Sequence, residues 1–378
     1  RVKGALLGLQ DTETAAGATN LATEDALICG HCGHAHFGED AELELCCHCE
    51  QPLKLQPDGL AVRVPKLYQI EQVVTKRADR ITSDDEERQR LGYDLLTTYA
   101  FPRVNGQVKV DQAQLLLNQE PLLELSYAPA TTIRRINLGW KRRENPNDMG
   151  FPIHPVDGTW GKDKQLETSD DASDGDTVGY QKITPYAQDH KNALLIRFCG
   201  QHPADVLVSV KHAIKRGLEV AFQLDGSEIA AELMPNDEQP TALLVYESAE
   251  GGAGVLSRMV EDPAAMRRVG ITALQLCHWG WEGDEGAAAQ KPPADQADLI
   301  DRDEECEAGC YRCLLGYHNQ RDHDLIDRRL PELKQLLLDL SRSALEIQGG
   351  REERGTQLER LLPLAGSGLE RLWLETLF

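Results

Sequence analysis

The chain has 378 residues, 62 acidic side chains against 40 basic ones, and a net charge of −22. Such a length implies roughly two or three domains, and 41 % hydrophobic residues are enough to fill their cores. The composition excludes three classes. No apolar run of about 18 residues offers a membrane span, no charged-then-apolar start marks a signal sequence, and the acidity rules out a nucleic-acid binder that works through its whole surface, because phosphate neutralisation supplies most of such affinity.

Ten cysteines without a secretion signal point to a reducing, cytoplasmic setting. There, clustered cysteines are metal ligands or catalytic groups more often than disulfides. The start, RVKGALLGLQ, lacks a Met, and the end, GLERLWLETLF, reads as an amphipathic helix still running, so the chain reads as a piece of something longer.

In chain order, residues 1–26 read as a connecting segment. Residues 27–54 hold Cys29-x2-Cys32 and Cys46-x2-Cys49, with Gly30 and Gly33 suited to tight turns. Zinc takes four ligands in a tetrahedron, and two CxxC turns supply four thiolates, so this is a zinc ribbon. Cys47 is spare, and His31, His34, His36 and His48 read as exposed loop residues. Residues 60–144 read as β-rich. Within them Ser83 and Glu86 form a capping box, which explains the acidic run Asp84, Asp85, Glu86, Glu87 without a metal. The strand-like stretch LLELSYAPATTIRRINLGWKRREN carries Arg134, Arg135, Lys141, Arg142 and Arg143 around Trp140. That strip is either a nucleic-acid contact or a charged strand edge.

Residues 145–190 read as an acidic linker, with the turn-forming NPND and ETSDDASDGD. A second globular unit follows over residues 191–345. PADVLVSVKHAIKRGLE predicts a helix, with Val206, Val210, Ala213 and Ile214 on one face. VAFQL predicts a strand, SEIAAEL a helix and TALLVYES a strand, an α/β order. The glycines Gly251, Gly252 and Gly254 in ESAEGGAGVL lack the lysine of a phosphate loop, and Glu247 and Glu250 would repel phosphate, so a tight strand-to-helix turn is expected. Residues 346–378 read as a helical tail.

CEAGCYRC places Cys306, Cys310 and Cys313 in eight positions. Three thiols in an acidic surround suit a metal better than a nucleophile. Cys277 is the preferred fourth ligand because it matches the others in softness; Cys199, His278, His318 and His323 compete. A Cys-His hydrolase using Cys310 or Cys313 with His318 is disfavoured. A nuclease would set several carboxylates around Mg²⁺, and no such spacing stands out.

YESAEGGAGVL, Cys277 and CEAGCYRCLLGYHNQRDHDLIDR together resemble the MrfA-type zinc-binding domain of superfamily-two DEAD/DEAH-box helicases, over roughly residues 190–340. The upstream ribbon, DRITSDDEERQRLGY and INLGWKRR resemble the matching region of DISARM-like phage-defence helicases. The resemblance implies zinc ligands Cys277, Cys306, Cys310 and Cys313, hence two zinc ions with the ribbon's. It implies a mixed α+β and α/β fold in which a ribbon and β-rich region precede an α/β domain with a second four-cysteine site. It further implies a non-catalytic accessory region in DNA repair or anti-phage defence. The partners would be helicase motor domains in the same or another chain, and DNA, single-stranded, reached through the parent protein. The alternative is a protein-protein assembly module of a defence complex. The chain has no Walker A lysine loop and no DEAD/DEAH box, which puts any motor elsewhere.

Overall fold

The computed structural model describes residues 21–53, 61–70, 92–104, 107–163, 179–248, 254–284, 291–348 and 368–377, together with residues 2–6, 12–13, 19–20, 72–75, 166, 252 and 362. The expected capping box at Ser83 and Glu86 lies outside these residues, as does ETSDDASDGD.

One sheet of eleven strands organises the described chain. Its strands are β1 (Glu24–Cys29), β2 (Ala35–Phe37), β3 (Ala61–Gln69), β4 (Tyr93–Ala100), β5 (Asp111–Leu117), β6 (Glu120–Trp140), β7 (Phe151–Ile153), β8 (Gln181–Phe198), β9 (Ile229–Met234), β10 (Ala242–Glu247) and, after two short strands given below, β13 (Ala344–Gln348). The main path runs β13-β5-β6-β8-β3-β1-β2, with β4 on β6, β7 and β10 on β8, and β9 on β10. The ribbon strands β1 and β2 therefore end the sheet that also floors the helices. β7 and the first half of β8 fall within residues 145–190, so parts of that acidic stretch pair in the sheet.

β6 and β8 are the spine, antiparallel from Leu123↔Phe198 to Ile136↔Tyr186. A bulge between Ala128 and Thr131, with Ala130 at φ +52°, interrupts their ladder. An extra residue in one strand bends it and re-aims its side chains. Leu123, Leu125 and Tyr127 accordingly enter the largest core, Ala128 and Ile133 a second, and Ile136 and Leu138 a third.

Four helices cover the end of the sheet where the largest core lies: α1 (Ala204–Phe222), α2 (Val255–Glu261), α3 (Ala265–Leu276) and α4 (Pro331–Arg342). The expected face of α1, Val206, Val210, Ala213 and Ile214, is buried. Gly217 lets α3 approach closely, since a Cβ there would lie 2.9 Å from the Val269 carbonyl oxygen. Two expectations fail nearby. VAFQL is not a strand: the helix continues through Phe222 and ends at Gln223 in the left-handed region. SEIAAEL is not a helix: Ile229–Met234 pairs along the fully buried β10, from Ile229↔Glu247 to Met234↔Ala242. Propensity is a weak prior that sheet pairing overrides. The last described helix is α5 (Gly368–Leu377). No helix among the described residues is long and apolar enough to cross a membrane.

Candidate metal centres

The first centre is built from two turns. Cys29 ends β1, its N–H donates to the His34 carbonyl, and Gly33 N–H donates back to the Cys29 carbonyl. Gly33 has φ +78°. In the second turn Cys46 N–H donates to the Gln51 carbonyl and Glu50 N–H to the Cys46 carbonyl, with Glu50 at φ +59°. Each CxxC is thus followed by one left-handed residue, which turns the chain so that both sulfurs face inward. The Sγ atoms of Cys29 and Cys49 are 3.6 Å apart, those of Cys32 and Cys46 3.7 Å, and all four lie within 4.8 Å of one another. A zinc tetrahedron with bonds of ~2.3 Å has edges of about 3.8 Å, so the donor set fits zinc. Thr241 Oγ1 donates to the His31 carbonyl and Gly33 packs on Met234, which seats the ribbon on the β9–β10 hairpin.

The ribbon histidines are not the exposed loop residues expected. His34 and His36 are buried, His34 against Tyr99 and Phe101 and His36 against His34. Their Nδ1 atoms each lie 3.9 Å from Cys47 Sγ. Burial holds His34 well below its ordinary pKa and pushes the Cys47 thiol up to about 11. Phe101 N–H donates to His34 Nε2, so the proton of this neutral imidazole sits on Nδ1, facing the sulfur. A protonated nitrogen does not ligate; this group is hydrogen-bonded packing.

The second centre begins where α3 stops. Cys277 caps the helix, and His278 follows at φ +63°. The chain then forms β11 (Trp279–Gly280), which pairs with β12 (Ile300–Asp301). The loop beyond β12 supplies the other ligands. Cys306 and Cys313 sulfurs are 3.8 Å apart, Cys310 N–H donates to Cys313 Sγ at 2.9 Å, and His278 Nε2 lies 3.3 Å from Cys310 Sγ. The donor atoms of His278, Cys306, Cys310 and Cys313 lie within 4.8 Å of one another. Burial raises the Cys310 thiol, but hydrogen bonds from His278 and the Arg312 backbone outweigh it and hold it at about 6. Cys277 is fully buried beside this group without joining it. Burial, then the charge of Cys313, pushes its thiol up. Cys277, the expected fourth ligand, and His278 therefore both lie beside the three loop thiols, Cys277 in the same core cluster as Cys306 and Cys313 and His278 within hydrogen-bond reach of Cys310.

The sequence model of the MrfA Zn-binding domain matches residues 210–314. Over those residues the chain is similar to that domain. The match takes in most of α1, the glycine turn, α3 and every donor of the second centre. A crystal structure of the DUF1998 helicase MrfA bound to DNA is similar at 12 % identity and a TM-score of 0.33, over 66 % of this chain and 25 % of that one. The chain therefore spans about a quarter of the length of that helicase chain. No curated protein matches.

Two groups outside the matched segment hold its zinc loop. Arg328 is 1 % exposed, and its guanidinium donates to the carbonyls of Cys306, Cys277 and Asp303 and to the Asp301 carboxylate, at 2.8–3.2 Å. One side chain thereby ties the helix end to the cysteine loop. Asp322 accepts from Lys211 Nζ and His212 Nε2, both at 2.7 Å, and Asn319 bridges His212 Nδ1 and the Leu314 carbonyl. Burial would raise Asp322, but the His212 hydrogen bond and the Lys211 charge hold it well below the usual carboxylate range. In the sequence Arg328 is only the last residue of CEAGCYRCLLGYHNQRDHDLIDR, and nothing in the local pattern of His212 or Lys211 marks them.

The glycine turn has an anion of its own. Glu247, buried at the end of β10, accepts from Val255 N–H at the start of α2 (3.1 Å) and from Asn192 Nδ2 (2.8 Å). A Cβ on Gly252, at φ +52°, would overlap that carboxylate. Gly252 and the first N–H of α2 thus pack on the Glu247 carboxylate.

The basic strip is divided. Arg134 lies over the Phe37 ring at 3.7 Å, Arg135 donates to Tyr246 Oη, and Arg143 pairs with Asp94 at 2.8 Å. Lys141 and Arg142 are exposed, beside a half-exposed Trp140 stacked on Tyr93 at 4.7 Å.

Proposed function

We propose that this chain is a non-catalytic accessory region of a DNA helicase, braced by two zinc ions and working in the cytoplasm beside motor domains of the same or a partner chain. The observation that carries the reading is the second cluster: an ordered donor set inside the MrfA Zn-binding segment, wrapped by the largest core rather than open to substrate. The glycine turn supports it, since Glu247 fills the only sequence that looks like a phosphate loop. Cys29, Cys32, Cys46 and Cys49 hold one ion. Cys306, Cys310 and Cys313 hold the other, its fourth ligand drawn from Cys277 or His278. DNA, single-stranded, is reached through the parent protein, and the contact lies at the outer end of the basic strip, at Trp140, Lys141 and Arg142. Base stacking there is worth ~1–3 kcal/mol, and both cations are free to meet phosphate. The role is the same in DNA repair or in anti-phage defence.

The test joins zinc counting to binding. The purified chain should carry two zinc ions, hydrolyse no ATP, and bind labelled single-stranded DNA weakly, less so as salt rises. One ion or none, or a DNA-stimulated ATPase, defeats the reading. A second reading, an assembly module, draws on α5, whose Leu369, Leu372 and Trp373 are all exposed. Stable capture of a motor subunit by a chain that binds no DNA at low salt would favour it.

A further inference from the structure

We infer that Tyr93 and Trp140 form one stacking platform for the unpaired bases of single-stranded DNA, with Phe151 and Trp160 as its brace and Lys141 and Arg142 as its phosphate contacts. This rests on reading the basic strip as a DNA contact, and it adds to that reading a ring-built site that tells a single strand from a duplex. Three observations carry it.

The first is the row of rings. Tyr93 opens β4, Trp140 closes β6, and the two stand opposite each other in the ladder. Their rings stack at 4.7 Å with 22° between the planes. Phe151, at the start of β7, meets both edge-on at 6.0 Å, and Trp160 meets Phe151 at 6.1 Å. Stacked and edge-to-face contacts are the favoured aromatic arrangements, so the four rings hold one another. Trp160 packs against the satellite core of Leu21, Tyr68, Ile153 and Ile183. The row is therefore anchored at one end and open at the other, where Tyr93 is 41 % and Trp140 49 % exposed. Each gives one face to the other, and what remains exposed is offered to solvent.

The second is the backbone that fixes the open end. Lys141 N–H donates to the Gly92 carbonyl, and Arg143 returns to the Trp140 carbonyl through both its N–H and its guanidinium, each at 3.1 Å. Arg143 also pairs with Asp94 at 2.8 Å, which ties β4 to the turn. Gly150 then brings the chain back. Its N–H donates to the Leu138 carbonyl, its φ is +92°, and a Cβ there would run into the Ile183 carbonyl. Phe151 follows directly and lands against Trp140. Rings fixed in this way lose little freedom on binding, which is what gives Tyr and Trp their value at contact surfaces.

The third is charge. Lys141 and Arg142 follow Trp140 and are exposed, and among the described residues neither has an ion pair. The nearby carboxylates of Asp94 and Asp148 are taken by Arg143 and Lys182, with Glu144 left exposed. Two free cations beside two open rings match the alternation of phosphate and base along a strand. Every base has a π-face, so such stacking tolerates any sequence. In a duplex those faces are covered by the neighbouring base pairs, and only an unpaired strand can offer them.

Tryptophan fluorescence of the unmodified chain, titrated with oligonucleotides at low salt, gives the direct test. A deoxythymidine oligonucleotide should quench the emission, and a duplex of the same length should not. A strand of abasic sugar-phosphates keeps the charge and lacks the bases; it should bind about 5- to 100-fold more weakly. Two phosphate contacts on a single strand should give a slope of about −1.4 for log affinity against log salt. In parallel, Trp140→Phe should remove the quench, and Tyr93→Ala should weaken binding of the base-bearing strand but not of the abasic one. Equal affinity for the abasic and base-bearing strands, with binding still lost in Lys141→Glu with Arg142→Glu, would overturn the platform while leaving the DNA reading intact; no binding of any strand would remove both. A quench by a proline-rich peptide and not by the oligonucleotide would give the rings to a protein and overturn the inference. Should either ring variant fail to fold, the comparison of strands on the unmodified chain still decides.

Discussion

The two cysteine clusters differ in what surrounds them. The ribbon sulfurs sit in a small satellite core of Cys29, Cys32, Cys46 and Leu53 at one end of the sheet. The second cluster is part of the largest core: Cys306 and Cys313 belong to the same buried cluster as residues of α1, α3 and α4 and Leu123, Leu125 and Tyr127 of β6. One centre fastens a hairpin pair, the other the join between three helices and a sheet. Zinc binding is folding free energy where the site does not exist in the unfolded chain. The same chemistry should therefore have local consequences at the first site and global ones at the second.

The sharpest break is a matched pair of ligand changes. Cys313→Ser should cost the second ion and the cooperative fold, because apparent zinc contributions of ~10–16 kcal/mol in small zinc domains are of the same size as a domain's whole stability of about 5–15 kcal/mol. Circular dichroism should show lost helix. Cys32→Ser should also cost one ion yet leave the helical signal intact. Equal damage from both would erase the contrast.

Next in size is Arg328→Met. It takes one donor from the Asp301 carboxylate and from the carbonyls of Cys306, Cys277 and Asp303, of which Asp301 keeps the Asp303 N–H and Asp303 keeps the Cys306 N–H. Removing one partner of a buried pair costs about 3–5 kcal/mol, read as a lower urea midpoint with both ions retained. A midpoint unchanged within error would show that the guanidinium is not the tie between helix end and loop.

Asp322→Asn should cost less, about 1–3 kcal/mol. The folded pKa of Asp322 is depressed, so its contribution is present above the ordinary carboxylate value of ~3.9 and is lost only as pH falls from there toward the lower folded value. The gap between wild type and variant should stay constant from pH 5 to 8. A gap that changes across that range would point to His212 as the controlling group.

The smallest structural effect should come from Lys141→Glu with Arg142→Glu. Both side chains are exposed, so stability and zinc content should not change, while DNA affinity and its salt dependence fall. DNA binding by the parent protein that is intact at low salt would make the strip a solvated strand edge.

What could be read from the sequence tracks how local its cause is. The ribbon was legible because four ligands, two turns and their spacing are all short-range. The α1 face was legible from its period. The strand Ile229–Met234 was not: its residues favour a helix, and only pairing with β10 overrides them. His34 looked exposed because Tyr99 and Phe101, which pack on it, are more than sixty residues away. The second centre lies between these cases. Its three clustered thiols announce a metal, whereas the choice between Cys277 and His278 depends on one backbone turn at a helix end, and Arg328 gains its role only when β12 and the cysteine loop converge on it.

Hydrogen–deuterium exchange on zinc-loaded and zinc-depleted chains tests the contrast between the two centres most directly. Removing the ribbon ion, by Cys32→Ser, should raise exchange over residues 24–53 and 61–69 and leave α1, α3 and α4 protected. Stripping the second ion as well with a chelator should open residues 204–222, 265–276 and 331–342 together. Protection of those three helices that survives loss of both ions would contradict the account: the second zinc would then decorate a core that stands without it.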